Sequence, residues 1–437
     1  MKPSPLKLKL KLTTMNNTRS LFALISLIFL FLLSFNGASL RIPSLSPPQK
    51  LAGDPFYSPE SRFYNPHLRK SPTSENSPEK LAGDPFYSPE SPFYNPILRK
   101  SLSYHIESEN SPENRNKKLL KMLSGFGSSR RDDFPARVNE FFHKKNETSS
   151  CKIRFFMTWI SSSNSFNKRS IQSIESVFKS HPNACLLIIS NSLDSIKGRQ
   201  ILQPFVEKRF RVTSIAPDFS YLFKNTMAES WFSKLIRGQV QAGNVPLGQN
   251  LSNLVRLCLL YKYGGVYIDA DVIVLNRFDK VKNAIGAQTI DPNSKKWTRL
   301  NNAVMVFDKM HPLVYKFIEE FALTFNGNKW GHNGPFMVSR VVSRLQGRPG
   351  YKFTVLPPPA FYPVSWVNVR ALFRGPKNET DLRWSTGVFE QIRNHSYTLH
   401  LWNKQSRGFR VEQGSVVSKI FLDTCVFCNA SRTNSTI

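Results

Sequence analysis

The most regular stretch of the chain runs from Leu251 to Leu275, where a helical pattern of apolar positions gives way across two glycines to a β pattern. Leu254, Leu257, Leu260 and Tyr261 recur at helical spacing, and Ser252 is the expected N-cap. Gly264–Gly265 predicts a tight turn. VYIDADVIVL from Val266 then reads as one strand, in which alternate side chains share a face. Val266, Ile268, Ala270, Val272 and Val274 are expected in the core, with Tyr267, Asp269, Asp271, Ile273 and Leu275 opposite. Upstream, KIRFFMTWI from Lys152, ACLLIIS from Ala184 and RVTSIA from Arg211 read as strands, and Ile171–Ser180 and Tyr221–Gly238 as helices. Downstream, AIGAQTI, LNNAVMVFD and SYTLHLW supply strands, and Pro312–Phe325 and Gly334–Leu345 supply helices. Strands alternating with helices predict an α/β domain with a Rossmann-like, mostly parallel sheet.

The N-terminal third has a different pattern. Lys2, Lys7, Lys9, Lys11 and Arg19 precede an apolar run from Leu21 that reaches the length of a membrane span, about 20 residues, when extended to Leu40. The expectation is a cytosolic tail over 1–20, a transmembrane signal-anchor over 21–40 and a lumenal remainder. The rival is a cleaved signal peptide with its small residues at Gly37–Ser39. Residues 41–149 read as a Pro/Ser-rich stem with a near-perfect duplication, 50–71 and 80–101. Recurrent proline opposes regular structure there, so the repeat is a duplicated spacer or carries a docking motif on its Asp-Pro-Phe-Tyr pieces. The globular domain is expected over 150–437, in halves 150–290 and 291–430.

A formal net charge of +30 suits anionic partners. No zinc finger or other nucleic-acid module is present, and no nucleic acid is expected. The five cysteines include a single Cys-x-x-Cys, which speaks against a four-sulfur zinc site. In an oxidising lumen Cys425 and Cys428 pair with each other, or one reaches back to Cys151; Cys258 reads as a buried core residue. N-glycosylation sequons begin at Asn146, Asn250, Asn378, Asn394, Asn429 and Asn434. Asn250 lies too close to the apolar helix to be a good acceptor.

The chemistry concentrates on Asp269-Ala270-Asp271. On one strand face the two carboxylates sit about 7 Å apart at Cα. Burying such a pair unpartnered costs several kcal/mol. A hard divalent cation, Mn²⁺ or Mg²⁺, is the economical partner.

LSNLVRLCLLYKYGGVYIDADVIVLN resembles the core of the DXD-containing glycosyltransferases. LNNAVMVFD from Leu300, KWGHNGPFMVSRV from Lys329, FYPVSW from Phe361 and LHLWNKQSRG from Leu399 are similar to the C-terminal half of the α-1,4-galactosyl- and α-1,4-N-acetylglucosaminyltransferases. The resemblance covers about residues 150 to 428. It implies a GT-A fold, a UDP-sugar donor, a metal cofactor, retention of anomeric configuration, and a single-pass type II Golgi membrane protein acting on a glycolipid or glycan acceptor. It further implies catalytic roles for Asp269, Asp271, His332 and Asn333, with metal held by Asp269, Asp271 and His400. Donor contacts are expected from Ser252, Arg256, Gly264, Gly265, Tyr267, Asn301, Asn302, Trp402 and Lys404. The two glycines would clear space for the nucleotide, Asn301 and Asn302 would open a strand, and His332 and Asn333 would line the sugar pocket beside Gly331 and Gly334. Acceptor loops are expected at Thr289–Thr298 or Phe373–Trp384. Three alternatives stay open: a GDP-mannose-dependent mannosyltransferase, a non-catalytic lumenal glycan-binding or scaffold protein, and a basic polyanion-binding protein.

Overall fold

The computed structural model describes residues 111–125, 133–143 and 151–428. The expected tail, anchor, both copies of the repeat and the sequons at Asn146, Asn429 and Asn434 lie outside them. Among the described residues no helix is long and apolar enough to cross a membrane.

Nine strands are present among the described residues: β1 Ile153–Thr158, β2 Ala184–Ile189, β3 Arg211–Ile215, β4 Gly265–Ile268, β5 Val272–Val274, β6 Ala284–Ile290, β7 Trp297–Phe307, β8 Thr354–Leu356 and β9 Thr398–His400. Seven form one sheet in the order β3-β2-β1-β4-β7-β6-β8, and β5 pairs with β9 in a second. In the large sheet only β7 runs antiparallel to its neighbours. The expected mostly parallel α/β arrangement is therefore present. Strands such as Ala184–Ile189 are buried along their whole length because helices cover both faces. Phe155, Met157, Leu186 and Ile188 belong to the core on one face, and Phe156, Leu187 and Ile189 to the core on the other. Asn167 and Ser195 cap the helices Lys168–Ser180 and Ile196–Glu207 by accepting from first-turn N–H groups.

Several local expectations are corrected. Val266–Leu275 is not one strand. The N–H of Val272 donates to the carbonyl of Asp269 at 3.0 Å, and this turn ends β4 and starts β5 in the other sheet. Ile273 and Leu275, placed opposite the core by simple alternation, are buried. The long helix spans Leu247–Tyr263, so Ser252 lies in its second turn rather than at its N-cap. Tyr221–Gly238 is two helices, Phe219–Phe223 and Met227–Ile236, parted at Asn225, whose φ is 64°. Asn301 and Asn302 lie inside β7, not at its start. Cys425 pairs with Cys428, Cys151 pairs with Cys185, and Cys258 is buried and free. Asn250 is buried in the long helix, while Asn378 and Asn394 are exposed.

The spacer read over 41–149 ends earlier than the sequence indicates. Helices Pro112–Gly125 and Phe134–His143 bury Leu123, Phe134, Val138 and Phe142 in the domain core. Arg137 makes a bidentate pair with Asp194 at 2.7 and 2.8 Å. Asn116, 4% exposed, donates to the carbonyls of Gly243 and Val245 at 2.8 and 3.2 Å and accepts from the N–H of Leu247 at 2.7 Å. It thereby satisfies an orphan N–H of the long helix from outside the helix. Asn116→Ala in the full chain removes the side-chain partner of two buried backbone groups and one half-buried carbonyl. A loss of about 1–3 kcal/mol in a denaturant titration is expected, and unchanged stability would mean that the helix rests on the domain without bracing it.

Candidate active site

Helix Leu247–Tyr263 and strand β4 build the floor of the site. Gly264 and Gly265 join them with φ of 65° and 132°. A Cβ on Gly264 would lie 2.5 Å from the N of Lys309, and one on Gly265 would lie 2.5 Å from the carbonyl oxygen of Arg154. These glycines are required by close backbone approach at the start of β4, at the opposite end of the strand from Asp269. The expectation that they clear space for a nucleotide is corrected on that ground.

At the far end of β4 the two aspartates are held by different sheets. The N–H of Asp269 donates to the carbonyl of Ala303 in β7 at 2.9 Å, whereas the carbonyl of Asp271 accepts from the N–H of Leu401, just after β9, at 2.9 Å. The Asp-Ala-Asp turn is thus the joint between the sheets, and it directs both carboxylates into one cavity of about 620 Å³.

Asp269 is paired with Arg256 at 3.0 Å. The Arg256 side chain is only 2% exposed, against 27% for Asp269, so the guanidinium is locked in the floor while the carboxylate faces the cavity. Arg256 also donates to the carbonyl of Asn302 at 2.7 Å, to the carbonyl of Ser252 at 3.2 Å and to its hydroxyl at 3.1 Å. Its guanidinium carbon stands 4.5 Å from the Tyr267 ring centre. Tyr267 donates its hydroxyl to Asp269 at 2.7 Å, and Thr158 lies 2.8 Å from that hydroxyl. Burial pushes the Asp269 carboxyl above its ordinary range; Arg256 opposes the shift and the neighbouring Asp271 adds to it.

Asp271 has different partners. His400 Nε2 lies 3.2 Å from one carboxylate oxygen, and the N–H of Asn403 donates to the other at 2.8 Å. Burial alone would raise this carboxyl, but His400 and then the Asn403 N–H outweigh it and hold it below the ordinary range. Trp402 makes the turn that brings Asn403 round. Its backbone is left-handed, with φ 54° and ψ 54°, a strained conformation for a bulky residue. Its indole N–H donates to the carbonyl of Val364 at 2.8 Å, and its ring packs 4.0 Å from the His400 ring.

Asp269, Asp271 and His400 place one ligand atom each within 4.8 Å of one another. Two carboxylate oxygens and an imidazole nitrogen are donors suited to Mn²⁺ or Mg²⁺. Two features fit a cation there. Arg256 pairs with Asp269, while Asp271 is held by His400 and a backbone N–H, so the floor presents a second carboxylate without a guanidinium bonded to it. The Nδ1 of His400 is buried and has no protein partner, so the protein alone does not complete the ring's hydrogen bonding.

Ser252, Arg256, Asn301, Asn302, Trp402 and Lys404 line the same cavity. Asn301 and Asn302 are buried there and hold each other's surroundings through Gln288 and Asn253. Tyr267 stands behind Asp269 and acts through it. His332 and Asn333 do not face the cavity. His332 Nε2 binds the carbonyl of Thr324 at 2.9 Å, and Asn333 ties Asn250 to the carbonyl of Asn326. They brace the loop that presents Trp330 and Gly331. The lining also contains Thr158–Ser161, Gln288, Arg299, Trp330, Phe336 and Trp366, which the sequence reading passed over. Thr158–Ser161 follow the carboxyl end of a parallel strand, where α/β sheets bind ligands, and that rule was available from the sequence.

Comparisons with known proteins follow the same residues. Residues 167–290 match the glycosyltransferase sugar-binding region containing DXD motif, and residues 306–432 match the alpha 1,4-glycosyltransferase conserved region. The lactosylceramide 4-alpha-galactosyltransferase of Pongo pygmaeus is 30% identical over 205 residues, 45% of this chain and 85% of that protein. Human alpha-1,4-N-acetylglucosaminyltransferase is 26% identical over 220 residues, 48% of this chain and 58% of that protein. An uncharacterized Arabidopsis thaliana protein is 29% identical over 301 residues, 67% of this chain. The chain spans 44% of the length of that protein and less than two thirds of several other relatives.

Replacing Arg256 tests the electrostatics of the floor. Arg256→Met leaves Asp269 without its buried partner and is expected to cost about 3–5 kcal/mol in chemical denaturation. Adding Asp269→Asn is expected to recover part of that loss. A double variant no more stable than Arg256→Met would show that packing of the guanidinium, not its charge, holds the floor.

Proposed function

The chain belongs to the DXD-containing α-1,4-glycosyltransferase family, and from that premise we propose that it is a metal-dependent, retaining glycosyltransferase. It moves a hexose or N-acetylhexosamine, galactose or N-acetylglucosamine first, from a UDP-sugar to a glycolipid or glycan acceptor. The observation that carries this reading is the convergence of Asp269, Asp271 and His400 on one cavity above a buried arginine.

A divalent cation held by these three residues would neutralise the negative charge that develops on a departing diphosphate. It would also add positive charge to the floor, which suits a nucleotide diphosphate. Arg256 orients Asp269 and opposes the rise that burial imposes on its carboxyl, while His400 with the Asn403 N–H orients Asp271 and holds it below the ordinary range. Asn301, Asn302 and Ser252 offer amide and hydroxyl groups for sugar hydroxyls. The acidic side chains lining the cavity are Asp269 and Asp271. A same-face displacement, which needs only the leaving phosphate to guide the acceptor hydroxyl, is favoured over a covalent route through a carboxylate or amide. The bond from the anomeric carbon to phosphate breaks as the bond to the acceptor oxygen forms, and the acceptor proton passes to the leaving phosphate.

We place the domain in the Golgi lumen behind an anchor at 21–40. The basic lead before that apolar run, two disulfides and exposed sequons at Asn378 and Asn394 support this topology.

The test is donor hydrolysis by the detergent-solubilised full chain, offered a panel of UDP- and GDP-sugars with Mn²⁺ or with chelator. Metal-dependent release of UDP from one donor is expected, reduced about a hundredfold or more in Asp271→Asn. Release of GDP alone would make the chain a mannosyltransferase-type enzyme. Neither hydrolysis nor metal-dependent nucleotide binding would leave the non-catalytic binding protein in its place.

A further inference from the structure

Three large aromatic side chains stand exposed in the described domain, and all three border the cavity above Asp269 and Asp271. Trp330 is 49% exposed, Phe336 41% and Trp366 45%, and no other tryptophan or phenylalanine among the described residues is as open. Apolar rings left in water at the mouth of a polar cavity mark a binding surface.

Each ring sits on a fixed support. Trp330 rides on the loop that Asn333 and His332 brace from behind. Phe336 opens the helix Pro335–Leu345. Trp366 follows Val364, whose carbonyl accepts the indole N–H of Trp402, in a turn closed from the N–H of Asn368 to the carbonyl of Ser365. Two of the rings carry a cation. Lys404 Nζ is 3.4 Å from the Trp330 ring centre, and the Arg299 guanidinium is 4.4 Å from that of Phe336. The acidic side chains lining the same cavity are Asp269 and Asp271 at its floor.

The sheet order divides the cavity. Thr158–Ser161 lie at the end of β1, on one side of β4; Gln288, Arg299 and Asn301 lie on β6 and β7, on the other. The carboxyl ends of adjacent parallel strands, β1 and β4, are the ordinary place for a nucleotide. The side holding Arg299 and Phe336 is left for a second substrate. The cavity lining is also amide-rich, with Asn301, Gln288, Asn403 and Gln405. A lipid chain needs aliphatic walls. A saccharide needs this combination, with ring faces for its C–H surfaces and amides for its hydroxyls.

Resting on the glycosyltransferase reading, we propose that Trp330, Phe336 and Trp366 form the acceptor subsite, and that its ligand is the non-reducing end of a neutral or acidic oligosaccharide. The terminal hexopyranose stacks on Trp366 and Trp330, with its reacting hydroxyl toward Asp269 and Asp271. The acceptor loops named from the sequence do not form this surface. Thr289 and Thr298 bond each other across β6 and β7, at 2.7 Å between hydroxyls, and neither borders the cavity.

The experiment is a binding titration on the detergent-solubilised full chain with Mn²⁺ and UDP present. The probes are lactose, N-acetyllactosamine, cellobiose and sialyllactose, followed by saturation-transfer NMR. At least one saccharide is expected to bind. Its Kd is expected to rise about tenfold or more in Trp366→Ala and in Trp330→Ala, equivalent to about 1.4 kcal/mol, with Trp366→Phe recovering most of the loss. The Kd for UDP with Mn²⁺ should stay within about twofold of wild type in the same variants. No binder in the panel, or equal saccharide affinity in the alanine variants, would overturn the subsite. An equal loss of UDP affinity would assign the rings to the donor. Because turnover is not needed, absent donor hydrolysis would sink the enzymatic reading while this titration still reports on the rings.

Discussion

Two carboxylates one residue apart face the same cavity, and among the described residues the guanidinium that pairs directly with them is that of Arg256, at Asp269. That asymmetry organises the site. Arg256 answers Asp269 from a fully enclosed position, and a net of Ser252, Asn302, Tyr267 and Thr158 exists to keep the guanidinium there. Asp271 is bonded by His400 and a backbone N–H, with the Arg169 charge acting on it at longer range. Removing two charges from water is costly unless both are answered, and a divalent cation is the answer that the donor set accommodates.

The geometry follows from where the chain changes sheets. Asp269 is the last residue bonded to β7, and Asp271 the first bonded to the segment after β9. The turn between them converts a strand's alternating directions into two side chains that converge. Strand β9 arrives from more than a hundred residues away and brings His400 opposite Val272. The strained backbone of Trp402 then delivers the N–H of Asn403. Nothing local to the Asp-x-Asp motif supplies these partners, so the site exists only when both sheets are assembled.

Much of this was legible in the sequence, and the limits have physical causes. The strands around Phe155, Leu187 and Val304, the long helix and the glycine turn declared themselves by periodicity and punctuation. Asp269, Asp271 and His400 were named in advance and are together. The continuous strand failed because alternation assumes an unbroken ladder, and the ladder changes partner at Asp269. His332 and Asn333 sit in a conspicuous motif, but a motif does not say which side of a loop faces the cavity; Asn333 is spent on Asn250 and Asn326. Gly264 and Gly265 are needed for reasons of packing against Lys309 and Arg154 that no local pattern records. Asn116 was hidden by composition, since a proline-rich spacer masked a helix that bonds to residues more than a hundred positions later. That helix precedes both family-matched stretches.

The central claim is that Asp269, Asp271 and His400 make one divalent cation site. Electron paramagnetic resonance of Mn²⁺ titrated into the full chain, with and without UDP, measures it directly. One bound ion per chain is expected with wild type, tightened by UDP and lost in Asp271→Asn and in Asp269→Asn. Mn²⁺ binding unchanged in both variants, or absent from wild type with UDP present, would contradict the account.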